Sequence, residues 1–301
     1  MLKTALSVTA LAALFCSPLT AASIEEADAL WDIRGESYNK GGTIEEKAAN
    51  VIAAQNMYKE LIATETDVFQ KIYMGGQVAR AYHFIIDYVM PLDESVYMNG
   101  KNRKDYADEC FDYMDVIGPD KVGRNQPYHY GKLMCKAYSA QLAGLFEKLA
   151  GTKYFEEGGP DDLLYTGLAL GYEFQGGGIL RTVSQVRSNP LAVAIGQGDM
   201  GEALEAAENA LAISESSEYD RFGNTGPDYC DNWLSKIYVL VALEDWAAAE
   251  NTMIDTLDYF WVEGGADDFE ILVNPKGLEI DTQVCVSEIF EIAETNAEIN
   301  L

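Results

Sequence analysis

Apolar residues recur along this chain with the three-to-four spacing of helices, and no series of alternating strand-like segments accompanies them. Val51, Ala54, Tyr58, Leu61 and Ile62 fall on one helical face, and Val78, Tyr82, Ile85, Ile86 and Val89 on another. Further stripes are Ala107, Phe111 and Met114, then Leu133, Ala137, Ala140 and Gly144, then Leu164, Leu168, Gly171 and Tyr172. The second half continues with Ala203, Ala207, Ala210 and Leu211, and with Trp233, Ile237, Leu240 and Val241. Ala249, Met253, Thr256, Leu257 and Phe260 form the next set, and Cys285, Ile289, Ile292 and Ala293 the last. Each stripe covers about a third of a helix, the width that packs against neighbouring helices, so the pattern predicts an all-α fold.

Breakers separate these helices: Gly41-Gly42, Pro91, Gly118-Pro119, Gly158-Gly159-Pro160, Gly176-Gly177-Gly178, Gly198, Gly226-Pro227 and Gly264-Gly265. Helix starts follow several of them, as at Asp161-Asp162 and at Thr43, whose Glu46 three residues later reads as a capping box. Residues 263–281 read as an irregular excursion that has room for a short hairpin.

Two of the helices resemble each other. The run from Gly198 to Ala203 leads to Ala207, Ala210 and Leu211, and the run from Glu244 to Ala249 leads to Met253, Thr256 and Leu257. Small residues followed by apolar ones four and seven later suit closely approaching helix pairs, in the manner of the second helix of a tetratricopeptide repeat. The repeat spacing exceeds the usual ~34 residues, which predicts an irregular helix-pair superhelix.

The amino terminus sets the expected compartment. Lys3, an apolar run from Ala5 to Phe15, and small residues at Leu19-Thr20-Ala21-Ala22 have the layout of a secretory signal peptide over residues 1–22. Phe15, a bulky residue just before Cys16, argues against lipid anchoring there, so an exported, soluble periplasmic product is expected. Residues 23–301 are read as a single α-helical repeat domain, with no later stretch apolar for long enough to span a bilayer.

Charge narrows the partners. With 49 acidic residues against 21 basic ones, a formal −28, the surface repels nucleic acid and anionic headgroups. Beyond Cys16, four cysteines remain: Cys110, Cys135, Cys230 and Cys285. Three disulfide pairings are open. Matching heights on consecutive helices favour Cys110 with Cys135, which leaves Cys230 with Cys285; four core thiols are an equal alternative.

Catalytic signals are sparse. His83 lies between Tyr82 and Phe84 in an apolar helix and reads as a core histidine; His129 sits between Tyr128 and Tyr130 near a helix start. No zinc spacing, redox C-x-x-C, nucleophile elbow, EF-hand or nucleotide-binding loop occurs, so neither metal nor cofactor is expected. The segment from Gly171 to Val183 stands out. Its Gly176-Gly177-Gly178 run can bring backbone close to a ligand, with Arg181 offering an anion contact, or can simply allow a tight helix crossing. Arg181 and the nearby Arg187 are conspicuous in so acidic a chain, and 18 tyrosines with Trp31, Trp233, Trp246 and Trp261 supply aromatic surface for a core or a groove.

The glycine run, Tyr172 before it, Arg181 after it, and the stretches around Gly198-Asp199, Ala203, Ala210-Leu211, Asp245 and Ala249 resemble the T component of tripartite ATP-independent periplasmic (TRAP) transporters. The likeness is strongest over residues 165–260. It implies irregular tetratricopeptide-like helix pairs, association with a periplasmic solute-binding protein, and a role for the glycine loop in binding a ligand. Cys16 preceded by Phe15 departs from the lipid anchor common in that family, and Phe174-Gln175 stand directly before the loop.

The expected function is therefore a non-catalytic accessory of a solute-uptake system. It would engage a solute-binding protein and a small apolar or carboxylate ligand through Tyr172, Gly176, Gly177, Gly178, Arg181 and Arg187, with room for homo-oligomers. A general envelope scaffold or assembly chaperone that binds protein segments is the alternative. A hydrolase or lyase is the third reading, and it requires a cleft where carboxylates, His129 and an arginine converge.

Overall fold

The computed structural model describes residues 23–299, apart from 91–94, 118–125, 143–163, 165–166, 170, 172, 195, 219, 221, 265–267, 272–277 and 297–298. The expected leader with Cys16, the Asp161-Asp162 helix start and Tyr172 lie outside the described residues. Among the described residues the fold is all-α apart from one short hairpin.

Helices begin where the sequence supplies caps. Ser23 and Glu26 form a capping box at α1 (Ile24–Asp32), which α2 (Arg34–Asn39) follows directly. The expected box of Thr43 and Glu46 starts α3 (Ile44–Lys47), and Ala48 carries the chain into α4 (Ala49–Thr64). The Asp67 carboxylate accepts from the Phe69 and Gln70 amides to start α5 (Val68–Phe84). Part of the acidity is thus capping, with negative charge at the positive end of the helix dipole. After α5 the chain widens into a π turn, Ile85–Val89, in which the Met90 amide donates to the Ile85 carbonyl. Then come α6 (Arg103–Ile117), α7 (Gln126–Gln141), α8 (Gly178–Ser188), α9 (Pro190–Ala194) and α10 (Met200–Leu211), the last capped by Asp199. A 3-10 turn (Gly226–Asp228) leads into α11 (Cys230–Ala242), α12 (Trp246–Phe260), strands β1 (Trp261–Gly264) and β2 (Asp268–Ile271), and α13 (Glu279–Thr295).

The packing is largely sequential: α4 on α5, α6 on α7, α8 on α10, α10 on α11, and α11 on α12. The predicted stripes face inward. Val51, Ala54, Tyr58, Ile85 and Ile86 are fully buried, as are Ala203, Ala207, Ala210, Ala249, Met253 and Ile289. Ala210 of α10 approaches the glycine run at the start of α8, where a Cβ on Gly177 would lie 3.0 Å from its own. The hairpin pairs Trp261 with Ile271 and Gly264 with Asp268 in antiparallel register, starting two residues before the expected excursion.

Two disulfides form, Cys110–Cys135 between α6 and α7 and Cys230–Cys285 between α11 and α13. The thiol alternative is thereby set aside. Closing sequence separations of 25 and 55 residues, they restrict the unfolded chain by about 3 and about 4 kcal/mol. Such bonds persist in oxidising compartments and are compatible with export. Among the described residues, no helix is long and apolar enough to cross a membrane.

The last helix returns to the first. Asp281 of α13 forms an ion pair at 2.5 Å with Arg34 of α2, whose side chain is only 1% exposed and stacks on Trp31 at 4.4 Å. Ile280 joins the core of the amino-terminal helices. This return closes one side of an internal cavity.

Candidate functional site

Side chains from α1, α5, the π turn, the loop before α8, α11 and α13 line a small cavity of about 30 Å³ that opens partly to solvent. Trp31, Phe84, Tyr88 and Tyr229 give it aromatic walls, and Arg80, His83, Gln175, Arg181, Asp231 and Asp281 supply polar groups. Tyr88 and Asp231 are half-buried and both line the cavity.

The π turn helps to build this wall. A regular α-helix, at about 100° per residue, would put a residue five positions on roughly 140° round the axis. The wider turn brings Tyr88 back beside His83, with their rings 5.9 Å apart and edge to face.

Arg181 is held in place from behind. Its guanidinium is 7% exposed and donates to the Asn232 amide oxygen at 2.6 Å and to the Tyr130 hydroxyl at 3.5 Å. Asn232, fully buried, in turn donates to the Gly176 carbonyl at 2.6 Å and to the Gly226 carbonyl at 2.8 Å. Burial alone would lower the pKa of Arg181, but Tyr130 and Asp231 nearby turn the shift upward, so the group stays cationic. The glycines permit this arrangement by close approach. A Cβ on Gly176 would lie 2.2 Å from the Tyr229 ring, and one on Gly178 would lie 2.7 Å from the Tyr130 ring. Gly177, at φ +94°, would press on Ala210 of α10. The tight-crossing reading of this run is therefore met, and the same crossing aims Arg181. Gln175, just before it, takes a left-handed φ of +51° that residues other than glycine seldom adopt.

Arg80 is held differently. Its guanidinium stacks over Trp31 at 4.9 Å and makes no hydrogen bond among the described residues. Neither Arg80 nor Arg181 has a carboxylate oxygen within 4.0 Å among those residues. Asp281 is committed to Arg34, whereas the Asp231 carboxylate, the Tyr88 hydroxyl and the Gln175 amide have no hydrogen-bond partner among the described residues. Burial pushes the Asp231 pKa up, and Arg181 partly counters it. Burial also raises the Tyr88 pKa, which keeps its phenol protonated as a donor.

His83 is not the core histidine that its neighbours in sequence suggested. It lines the cavity, with Nδ1 on the Tyr138 hydroxyl and 3.2 Å from Asp87, and Asp87 also pairs with Arg103 at 3.1 Å. His129 lies outside the lining, against Tyr128. The hydrolase or lyase reading asked for a cleft containing His129, and the lining of this cavity holds His83 instead. No serine and no free thiol lines it, since Cys230 is disulfide-bonded. Among the described residues no group of histidine, cysteine and carboxylate side chains is placed to hold a metal ion.

Of the residues predicted from sequence, Arg181 stands in the cavity wall and Gly176 to Gly178 stand behind it. Arg187 is elsewhere, paired with Glu202 at 3.0 Å and donating to the Gln197 carbonyl, where it fastens α8 to α10. Arg80, Asp231, Gln175, Tyr88 and Asn232 were not singled out from sequence. Arg80 alone carried a local signal, a cation two residues after Val78 on the mostly apolar α5. No protein-family model matches the chain, and no curated protein matches it.

Proposed function

We propose that the chain is a non-catalytic binding protein of a TRAP-type uptake system, which holds a small organic carboxylate in this cavity and works beside a periplasmic solute-binding protein. The observation that carries the ligand half is a pair of arginines, Arg80 and Arg181, neither with a carboxylate oxygen within 4.0 Å among the described residues, lining one aromatic-walled cavity of a strongly acidic chain. A carboxylate is the natural counter-charge for guanidinium groups, and apolar walls suit the rest of such a molecule. Arg181 is preorganised by Asn232, so ordering it on binding costs little. The irregular helix pairs and the TRAP-like glycine run support the accessory role, and the helices are read as a tetratricopeptide-like superhelix around the ligand.

Two experiments test the halves separately. Calorimetric titration of the purified protein with small monocarboxylates such as acetate should show one saturable site that Arg80→Gln weakens at least about tenfold. A pull-down from a periplasmic extract of the host should recover a solute-binding protein in stoichiometric amount. Recovery of many envelope proteins would favour the scaffold reading instead.

The geometry of His83 favours a second reading, proton transfer to or from the bound ligand. Asp87 and Tyr138 fix its Nδ1 side, as in a histidine oriented for general base work. Chemical change of a bound ligand, followed by NMR and abolished by His83→Gln, would establish it.

A further inference from the structure

The hydrogen bonds of His83 fix its tautomer. The Tyr138 hydroxyl donates its single proton to Asp87, so its oxygen is left as an acceptor toward the imidazole. Asp87, 3.2 Å from the same Nδ1, is an acceptor too, anchored from its other oxygen by Arg103 at 3.1 Å. Nδ1 therefore faces acceptors alone and carries the ring proton. Nε2 is left with its lone pair, and no described residue donates to it. Across the ring Nε2 points away from Asp87, and His83 lines the cavity. A space of about 30 Å³ has room for about two waters, so an anion in it lies near the imidazole as well as the two arginines. The charges of His83 and Arg181 both act on Asp231, which lines the same space. A nitrogen lone pair facing a carboxylate is unfavourable, whereas an N–H⁺ in the same place is a charge-assisted donor.

Resting on the carboxylate-binding reading above, we propose that His83 couples binding to proton uptake: a carboxylate enters the cavity together with one proton from solvent, which the imidazole accepts at Nε2. The carboxylate itself is unchanged, and the proton returns to solvent when the ligand leaves. His83 is then a specificity residue for anions, a donor recruited on binding beside Arg80 and Arg181, and Asp87 is the positioning residue that steadies the imidazolium. Imidazole is the side chain that changes charge between about pH 5 and pH 8, so binding tightens in mildly acidic surroundings. The groups around His83 leave this part to it. Guanidinium groups stay cationic across that range, which covers Arg80, Arg103 and Arg181. Tyr88 and Tyr138 keep their protons because burial raises both. Asp281 is paired with Arg34. Burial pushes up Asp231, and Glu288 beyond it on α13, so these two carboxylates are the ones a test has to separate from His83.

Acetate is the probe, titrated into the purified protein by calorimetry from about pH 7 to about pH 8.5, in HEPES and again in Tris. The two buffers differ in heat of ionisation, so the difference in measured heat counts the protons taken up. Acetate affinity should fall about fivefold or more across that range, with up to about one proton taken up per acetate. Both effects should vanish in His83→Gln and persist in Asp231→Asn and in Glu288→Gln. Equal heats in the two buffers, with affinity independent of pH, overturn the coupling and leave the carboxylate site standing. Proton uptake that survives in His83→Gln overturns the assignment to His83. Absence of acetate binding at every pH overturns both readings. NMR of the imidazole nitrogens decides the matter even if a variant fails to fold, since the chain has only two histidines to assign. Acetate should convert His83 from the Nδ1–H imidazole to the imidazolium, and a ring that stays neutral with acetate bound contradicts the proposal.

Discussion

Asn232 ties Gly176 to Arg181: its amide nitrogen donates to the Gly176 carbonyl and its amide oxygen accepts from the guanidinium, both at 2.6 Å. A backbone turn and a ligand-facing cation are thereby made one unit. Replacing Asn232 with leucine strands the Gly176 carbonyl and one Arg181 donor in a buried space, while the Gly226 carbonyl keeps the Tyr229 amide. Each unsatisfied group costs about 1–3 kcal/mol, so Asn232→Leu should lose about 2 kcal/mol or more in urea unfolding. Asn232→Asp retains the acceptor for Arg181 and should keep ligand affinity better than it keeps stability.

The glycine run should be intolerant of any side chain, though nothing in it touches a ligand. A Cβ on Gly178 meets the Tyr130 ring, and Tyr130 is one of the two groups that hold Arg181. Overpacking of this kind costs about 1–3 kcal/mol. Gly178→Ala should therefore lower the melting temperature and weaken ligand binding together, whereas Gly196→Ala, with nothing within 4 Å of its Cβ, should leave binding unchanged and cost only backbone strain at φ +75°. Calorimetry on the two variants separates these outcomes.

The return of α13 onto α2 rests on a buried ion pair. Arg34 is 1% exposed and Asp281 17%. Removing one partner leaves a buried charge uncompensated, which costs about 3–5 kcal/mol. Asp281→Ala should lose about that much in urea unfolding and expose the cavity, read as faster proteolysis near α13; Arg34→Met with Asp281→Leu should recover a large part of the loss.

Stability should respond to pH through Asp231. Its folded pKa is raised above the unfolded value by burial, so the folded protein holds this proton more tightly. The associated stability is full below the ordinary carboxylate range and is lost as pH rises through the raised value. Asp231→Asn removes the penalty, so its melting temperature should gain on that of the unmodified protein between pH 4 and pH 7. A constant difference across that range would contradict burial of the carboxylate.

The fold was largely legible in sequence because each helix declares itself locally. The stripe of Val51, Ala54 and Tyr58 needs no knowledge of its partner, and Thr43 with Glu46 caps its own helix. The site was legible only where local chemistry was unusual, at the glycine run and Arg181. Asp231 looked like one acid among 49 because its meaning comes from facing Arg181 across chain-distant helices. Arg187 was equally conspicuous, yet Glu202 on α10 claims it. The π turn gave no signal either, since its stripe of Ile85, Ile86 and Val89 also reads as plain helix; the wider turn is what sets Tyr88 against His83.

The most direct measurement is native mass spectrometry of the protein purified gently from its host, alongside Arg80→Gln. Arg80 makes no hydrogen bond or ion pair among the described residues, so this variant should still fold and lose only the stacking on Trp31, about 0.5–1 kcal/mol. A ligand-binding role predicts a small organic acid bound one to one to the unmodified protein and missing from the variant. An unoccupied protein that also fails to bind small monocarboxylates, or a ligand retained equally by Arg80→Gln, would contradict it.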